Sequence, residues 1–392
     1  MNKDKQFSKL NNKDKKNKKI QIKIEGVIDA ENSIKPSFFK TLCKCLCHLC
    51  IWLFATITVL LIGLFIFLSL ICKGPSTYIR NLFVSSCIES ESGTGKMLAK
   101  IFFTNDEVTN IVSQNKIIAN PEITDTSLIN STSNITFDKE KIKDISIDSI
   151  ESDIIDPDGD GIETIEIDGA TYHGTLMIVY NSSRINLGIS DKLSTNGGDT
   201  LIDLINKYDA VAGINASDSN DKTSPDSNMN QQKIIISDGN LLMGNMNISN
   251  SICGFTNDNI FVVGTMTAEQ ALEMGINDAI SCAPALITNG KPAKTYGCGS
   301  GLNSRTAIGQ RADGTILLLT IKGMQSDSIG ASYSDLIKIM SDYGAVNAAN
   351  LDGGMSSSMF YDENQIINNS HLNQTHKIFT AFLVERGCED GQ

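Results

Sequence analysis

The stretch NLDGGMSSSM, residues 350–359, places one aspartate, Asp352, before two glycines and a run of serines. Runs of residues that favour strands flank the stretch on both sides. Gly353 and Gly354 allow positive φ and a close approach of a ligand, and the serines supply hydroxyl and backbone N–H groups. The stretch is therefore either a turn with a capping aspartate or a loop that leaves room for a ligand beside Asp352.

Two more polar side chains stand at the ends of apolar runs. Arg305 opens RTAIGQ and could donate two parallel hydrogen bonds to a carboxylate or a phosphate. A salt bridge with one of the many acidic residues explains this arginine equally well. Asn215 follows AVAGI and could bind a sugar hydroxyl or orient a leaving oxygen, or it is simply a turn asparagine.

A third candidate is the acidic stretch DPDGDGIE, residues 156–163. Asp156, Asp158 and Asp160 alternate as in the first half of an EF-hand loop, and carboxylate oxygens suit Ca²⁺. The twelfth position is Ile167, where that loop has a bidentate glutamate. The stretch is either a solvated acidic turn or a calcium site, and we expect no cofactor to be required.

Strand-like and helical segments alternate irregularly over residues 151–388, and the strands dominate. RTAIGQRADGTILLLTIKG predicts a hairpin through Asp313 and Gly314. SYSDLIKIMSDYG predicts a helix that stops at Gly344, and Thr267 with Gln270 forms a capping-box pattern before another helix. This order favours an α+β fold over a regular β-α alternation.

A long apolar segment, residues 49–72, carries no charged side chain. A helix of this length is about 36 Å long, which is enough to cross a hydrocarbon core of about 30 Å. A cleaved signal peptide, the alternative, would have a shorter apolar region nearer the start and small residues at a cleavage site. We therefore expect a single-pass anchor in the cell membrane.

Charge is distributed unevenly along the chain. Residues 1–50 carry 12 Lys and Arg against 5 Asp and Glu, and the remainder carries 21 against 40. The basic segment before the apolar one predicts a cytoplasmic N-terminus and an extracellular C-terminal part. The acidic body argues against nucleic acid as a partner, because phosphate neutralisation requires Lys and Arg.

Composition divides the chain into five predicted segments. Residues 119–150 are rich in Asn, Ser, Thr and Asp without a sustained apolar period, which is typical of a linker. The predicted segments are a basic cytoplasmic tail 1–48, a transmembrane helix 49–72, a membrane-proximal helical stalk 73–118, a linker 119–150 and a strand-rich domain 151–388.

The motifs, taken in order, resemble the phosphodiester glycosidase family, and in particular its membrane-anchored bacterial members related to exopolysaccharide. The resemblance is carried by YHGTLMIVYNSSRINLG, AVAGINAS, CAPALITNGKP, SRTAIGQRADGTILLLTIKG, YGAVNAANLDGGMSSSM and TAFLV. Arg-Thr-Ala-x-Gly and Asn-Leu-Asp-Gly-Gly together are its most specific parts. The family includes the uncovering enzyme that removes N-acetylglucosamine from mannose 6-phosphate.

The resemblance implies hydrolysis of the bond between the anomeric carbon of a sugar and a phosphodiester oxygen. Arg305 would hold the departing phosphate, Asp352 would act as base or nucleophile, and Asn215 would complete the catalytic set. The substrate would be a glycan or glycosyl-phosphate polymer of wall, capsule or exopolysaccharide. Further substrate contacts are implied for Thr306, Gly353, Gly354, Ser356, Ser357 and Asn289.

Several positions depart from the family pattern. Met324 stands where an arginine usually follows the hairpin, and Met355 replaces the third glycine of the loop. After Asn215 the chain continues through Asp218 instead of glycines and phenylalanine. These departures leave open a non-catalytic protein that binds wall polymers, and a structural part of a membrane complex would instead show an apolar outer patch.

Overall fold

The computed structural model of the protein describes residues 40–90, 93–130, 159–193, 197–218, 233–282, 284–369 and 376–387. The chain separates into two compact units, residues 1–71 and residues 72–392. The helices are α1 (Lys40–Lys73), α2 (Thr77–Glu89), α3 (Gly93–Phe102), α4 (Asn105–Gln114), α5 (Leu201–Lys207), α6 (Ala268–Glu273) and α7 (Tyr333–Asp342).

The described strands all belong to the second unit. They are β1 (Ile117–Ile118), β2 (Ile162–Asp168), β3 (His173–Val179), β4 (Ile185–Ile189), β5 (Ala210–Asp218), β6 (Ile235–Ser237), β7 (Asn240–Met243), β8 (Asn250–Thr256), β9 (Phe261–Met266), β10 (Ile276–Ser281), β11 (Ala285–Thr288), β12 (Lys291–Pro292), β13 (Lys294–Thr295), β14 (Arg305–Arg311), β15 (Ile316–Ile321), β16 (Ala345–Asn350), β17 (Ser358–Tyr361), β18 (Asn364–Asn368) and β19 (Ile378–Glu385).

In the first unit, α1 is the described helix that is long and apolar enough to cross a membrane, judged by length and composition alone. Thr56, Thr58 and Ser69 donate their hydroxyl protons to backbone carbonyls four residues earlier. Such bonds satisfy polar groups that hydrocarbon cannot solvate. The orientation of the anchor stays a prediction.

In the second unit, the strands form three large sheets and one small one. The orders are β7-β6-β10-β8-β9, β12-β11-β16-β14-β15-β3-β2, β18-β17-β5-β19-β4 and β1-β13, and each pair of described neighbours is antiparallel. With the helices α2–α7, this arrangement confirms the predicted α+β class.

The central sheet is buried on both faces, as β15 shows. Ile316 and Leu318 point into a core that all three large sheets share, whereas Leu317 and Leu319 point into a second core beneath α7. Side chains alternate between the two faces of a strand, so a strand buried on both faces reads as a continuous apolar run. The same alternation decides where the polar residues at the start of β14 point.

Several local predictions are confirmed. β14 and β15 form the hairpin, with Arg305 opposite Ile321. Thr267 and Gln270 form their capping box at the start of α6. α7 ends at Asp342, and Gly344 follows with φ of 81°.

The predicted stalk (73–118) and linker (119–150) fall within the second compact unit, and the boundaries of the predicted segments stay a prediction. Residues 72–392 form one compact unit, so α2 to α4 and residues 119–130 belong with the strands. Thr124 and Val263 exchange hydrogen bonds, and the backbone N–H of Asn130 donates to Ala312 O at 2.8 Å. Thr124, in the stretch whose composition is typical of a linker, thus bonds to the edge strand β9. Residues 131–150 lie outside the described part.

Candidate active site

Asp352 lies in the loop between β16 and β17, where the glycine-serine stretch begins. Its backbone N–H donates to Ala216 O at 3.2 Å, which ties the end of β16 to β5 of the neighbouring sheet. The Asp352 side chain is 33% exposed, and its Oδ2 lies 3.7 Å from Nζ of Lys233. The structure therefore presents a partly exposed carboxylate beside a cation.

Asn215 holds this loop in place from inside the protein. Its side chain is fully buried, and its Nδ2 donates to the backbone carbonyl of Asp352 at 2.8 Å. Its Oδ1 accepts hydrogen bonds from Thr306 Oγ1 at 2.8 Å and from the backbone N–H of Ser358 at 3.0 Å. The structure thus brings Asn215, Thr306 and Asp352 together, and these contacts position the backbone of the loop.

The two glycines of the loop are required for different reasons. Gly354 has φ of 67°, in the left-handed region that glycine adopts without strain. Gly353 is extended, but a Cβ atom on it would lie 2.8 Å from the backbone carbonyl oxygen of Ser304. The first glycine allows a close approach between backbones, and the second allows the turn.

The serines mostly close the turn. Ser356 Oγ donates to Gly353 O at 2.5 Å, and Ser358 Oγ donates to Ser356 O at 3.1 Å. Ser357 is buried, and its Oγ has no hydrogen-bond partner among the described residues. Of the two serines predicted to bind substrate, Ser356 has its hydroxyl engaged by the turn, and Ser357 does not.

Arg305 points away from Asn215, because it precedes Thr306 on β14 and neighbouring side chains leave opposite faces of a sheet. Its guanidinium lies 4.0 Å from the ring centroid of Tyr333, the first residue of α7. Nη2 donates to Glu89 Oε2 at 2.5 Å and to Gly301 O at 2.9 Å. Burial by itself lowers the pKa of Arg305, but Tyr333 and Glu89 raise it, and the net shift is upward.

A cavity of about 440 Å³ adjoins the loop. Ser304, Gly323 and Gly354 line it from the strand-rich part, and Phe83 and Leu98 line it from α2 and α3. Met324 and Met355, two of the positions that depart from the family pattern, also contribute to its wall. They leave the cavity open.

Asn289, a predicted substrate contact, lies far along the sheet from Asp352. Gly290, the next residue, donates its backbone N–H to Val346 O, near the start of β16. Asp352 is six residues beyond Val346, or roughly 20 Å along a strand. Asn289 Oδ1 accepts from the backbone N–H of Asp125 at 2.7 Å, and this contact anchors residues 122–125.

The predicted calcium ligands are only partly described, since Asp156 and Asp158 lie outside the described residues. Asp160 Oδ1 accepts from the backbone N–H of Ile162 at 2.8 Å, and Tyr361 donates to Oδ2 at 3.3 Å. Across the described ranges, no group of three or more His, Cys, Asp or Glu side chains is placed to hold a metal. The calcium site stays a prediction.

A glycosidase with two catalytic carboxylates would need a second one near Asp352. Glu163 accepts from Tyr180 Oη at 2.7 Å on β2, and Asp327 pairs with Lys322 at 3.3 Å. The backbone of Asp218 ends β5, three residues after Asn215, and its side chain lies outside the description.

Sequence reasoning missed Lys233 and Glu89. Lys233 precedes the short strand β6 and belongs to no motif, and Glu89 ends a helix more than 200 residues before Arg305. Only the folded chain brings each of them to its partner.

Comparison with known proteins matches part of the chain to a family model. The family model described as phosphodiester glycosidase matches residues 208–385. The SPbeta prophage-derived uncharacterized protein YomE of Bacillus subtilis (strain 168) is 42% identical over 65 residues, which are 17% of this chain and 10% of that protein. The chain thus spans about a tenth of the length of this curated relative.

Two solved structures are similar at low identity. The catalytic domain of zebrafish N-acetylglucosamine-1-phosphodiester alpha-N-acetylglucosaminidase, auto-inhibited by its pro-peptide, is 20% identical with a TM-score of 0.47, over 58% of this chain and 82% of that one. A hypothetical protein from Synechocystis is 17% identical with a TM-score of 0.39, over 57% of this chain and 62% of that one.

Proposed function

Because residues 208–385 belong to the phosphodiester glycosidase family, we propose that this protein hydrolyses sugar-1-phosphodiesters at the Asp352 loop. One observation carries the assignment of the site. The partly exposed carboxylate of Asp352 lies beside Lys233, and the buried Asn215 holds the Asp352 backbone at the loop that adjoins the cavity. Family membership supports glycosidase chemistry on a glycan substrate.

The proposed reaction breaks the bond between the anomeric carbon and the phosphate oxygen. Phosphate is a good leaving group, so charge stabilisation matters more than a strong general acid. Asp352 takes a proton from water as base, or attacks the anomeric carbon as nucleophile. Lys233 supplies positive charge near the departing phosphate. Arg305 reaches that phosphate only if Glu89 moves, since Glu89 accepts from its Nη2.

We place the enzyme on the cell surface, with α1 as a single-pass anchor and the N-terminus in the cytoplasm. The substrates we propose are glycosyl-phosphate linkages of wall, capsule or exopolysaccharide polymers. A non-catalytic polymer-binding protein is the second candidate. It is favoured by the apolar Met324 and Met355 in the cavity wall, where the family pattern has an arginine and a glycine.

The test uses the full chain in detergent with labelled N-acetylglucosamine-1-phosphodiester and a panel of other sugars. We expect Asp352→Asn to lower kcat at least about 100-fold, because proton transfer in glycosidic chemistry contributes factors of this size. Asp362→Asn, in the exposed turn between β17 and β18, is the matched control and keeps native turnover.

Two further results bear on the function and on the calcium site. Retained polymer binding without turnover on any sugar would contradict the enzyme and support the binding protein. Loss of turnover on addition of a calcium chelator would support the acidic stretch around Asp160 as a calcium site.

A further inference from the structure

The cavity beside the Asp352 loop has a polar and an apolar part. Asn303, Ser304 and Asn369 line it with polar groups, and Gly323 and Gly354 bring backbone to it. Ser86, Ser90 and Thr94 line the side formed by α2 and α3, and on that side Phe83, Cys87 and Leu98 contribute apolar groups. We call Phe83, Cys87 and Leu98 the helical wall. A pocket of this composition suits a ligand with a polar end and an apolar end.

The helical wall is fixed to the strand-rich part by specific bonds. Glu89 accepts from Arg305 Nη2 at 2.5 Å and from the backbone N–H of Gly301 at 2.8 Å. The backbone N–H of Leu302 donates to Ser86 Oγ at 2.8 Å. One small apolar core joins α2, α3 and α4 to each other. These contacts hold the helical wall in a fixed position at the cavity.

We propose that the helical wall binds a single apolar chain, so that the substrate is the phosphodiester of a sugar with a long-chain lipid alcohol. This inference rests on the function proposed above and names its leaving group. Polar groups of a hydrophilic polymer would find no hydrogen-bond partners on Phe83 or Leu98, whereas an apolar chain gains by leaving water. In the sequence, Thr77, where α2 begins, is four residues after Lys73, where the candidate membrane helix ends.

The cavity volume is consistent with one chain. Ligand pockets of about 300–1,000 Å³ hold a small ligand, and 440 Å³ must also take the sugar or the phosphate.

In the reaction, the oxygen of water bonds to the anomeric carbon and the bond from that carbon to the phosphate oxygen breaks. The lipid phosphate leaves as a monoester with the bonding electron pair, and the proton from water goes to Asp352.

The experiment uses the full chain in phosphatidylcholine vesicles with methyl and octyl diesters of N-acetylglucosamine-1-phosphate. We expect kcat/KM for the octyl diester to exceed that for the methyl diester at least 10-fold, because each buried methylene contributes about fourfold. Phe83→Ser and Leu98→Ser should raise KM for the octyl diester about 10-fold, a larger factor than for the methyl diester.

The matched controls are Ile79→Ser on α2 and Met97→Ser on α3, which are exposed and lie outside the cavity lining. They should leave kcat/KM for both diesters unchanged. Partitioning of a diester into the vesicles is the same for every variant, so it cannot cause a difference between the wall variants and these controls. Circular dichroism identifies any variant that fails to fold. Equal kcat/KM for both diesters, or equal effects of the wall variants on both, would overturn the apolar-chain site and leave the glycosidase function standing.

Binding of the products separates the two proposals when turnover is absent. Octyl phosphate should bind at least 10-fold more tightly than methyl phosphate, and Phe83→Ser should abolish that difference. Octyl phosphate binding without turnover of either diester would contradict the glycosidase function and retain the lipid site. Equal binding of the two phosphates would overturn the lipid site.

Discussion

Arg305 and Glu89 form an ion pair between a buried guanidinium and a partly exposed carboxylate, with 2.5 Å between Nη2 and Oε2, and it joins positions 216 residues apart. Arg305 was the residue expected to hold a phosphate, and the structure shows a carboxylate of the same chain in contact with its guanidinium. The pair fastens α2 to residues 300–303 and so fixes the helical wall of the cavity. Its strength therefore bears on both stability and the shape of the site.

Removal of Glu89 should destabilise the protein strongly. Glu89→Ala leaves a buried guanidinium without its anion, which costs about 3–5 kcal/mol in the free energy of unfolding. The double variant Glu89→Leu with Arg305→Met removes both charges and should recover most of this loss. Denaturation of the full chain in detergent, followed by circular dichroism, measures both.

Asp342→Asn is the control, since Asp342 forms an exposed pair with Lys338 and such pairs contribute little. It should leave the denaturation midpoint unchanged. If Glu89→Ala behaved like this control, the ion pair would not contribute to stability.

The hydrogen bond from Thr306 to Asn215 should contribute to stability and to turnover. A buried threonine hydroxyl without such a bond should not. Thr306→Val removes the donor to Asn215 Oδ1 and should cost about 1–3 kcal/mol of unfolding free energy and lower kcat. Thr320 lies opposite Thr306 on β15, and its buried Oγ1 has no partner among the described residues. Thr320→Val should be neutral or stabilising, and denaturation with turnover assays compares the two.

Equal losses in the two threonine variants would contradict this account. Such a result would assign the effect to the change of side chain in the core and not to the support of the Asp352 loop.

Much of the fold could be predicted because it depends on local patterns. The apolar run of β15, the turn at Asp313 and the caps of α6 and α7 are each encoded within a dozen residues. The glycines around Asp352 are likewise local, and the structure places both where a side chain would clash or strain the backbone.

The parts that could not be predicted depend on contacts between distant residues. Neighbours on a strand point to opposite faces, so Arg305 and Thr306 could not both face Asn215, but the sequence does not say which of them does. Nor does it say which of 45 acidic residues meets Arg305. The polar composition of residues 119–130 is compatible with a linker and equally with bonds to a sheet edge.

The two glycines of the loop should respond differently to alanine. Gly354→Ala places a side chain at φ of 67° and should cost about 1–2 kcal/mol of unfolding free energy. Gly353→Ala brings a Cβ atom to 2.8 Å from Ser304 O, so the loop must shift and carry Asp352 with it. A displacement of about 1 Å lowers kcat by up to about 100-fold.

Gly275→Ala is the matched control for backbone strain away from the Asp352 loop. Gly275 has φ of 76°, and the space around its Cβ position is open. It should lower the unfolding free energy like Gly354→Ala and leave kcat unchanged. Native kcat in Gly353→Ala would contradict the positioning role of this close approach.

Cys87, in the helical wall, should make stability depend on alkaline pH. Burial raises the pKa of its thiol from 9.0 to about 11. The native state therefore keeps the proton that the unfolded chain loses near pH 9. This contribution to stability is complete below pH 9 and is lost as pH rises towards 11. The unfolding free energy of Cys87→Ala should consequently fall less steeply between pH 8 and 11 than that of the native protein. Cys45→Ala, which removes an exposed thiol, should keep the native slope. Equal slopes for the native protein and Cys87→Ala, measured by denaturation at each pH, would contradict a buried and protonated thiol in the wall.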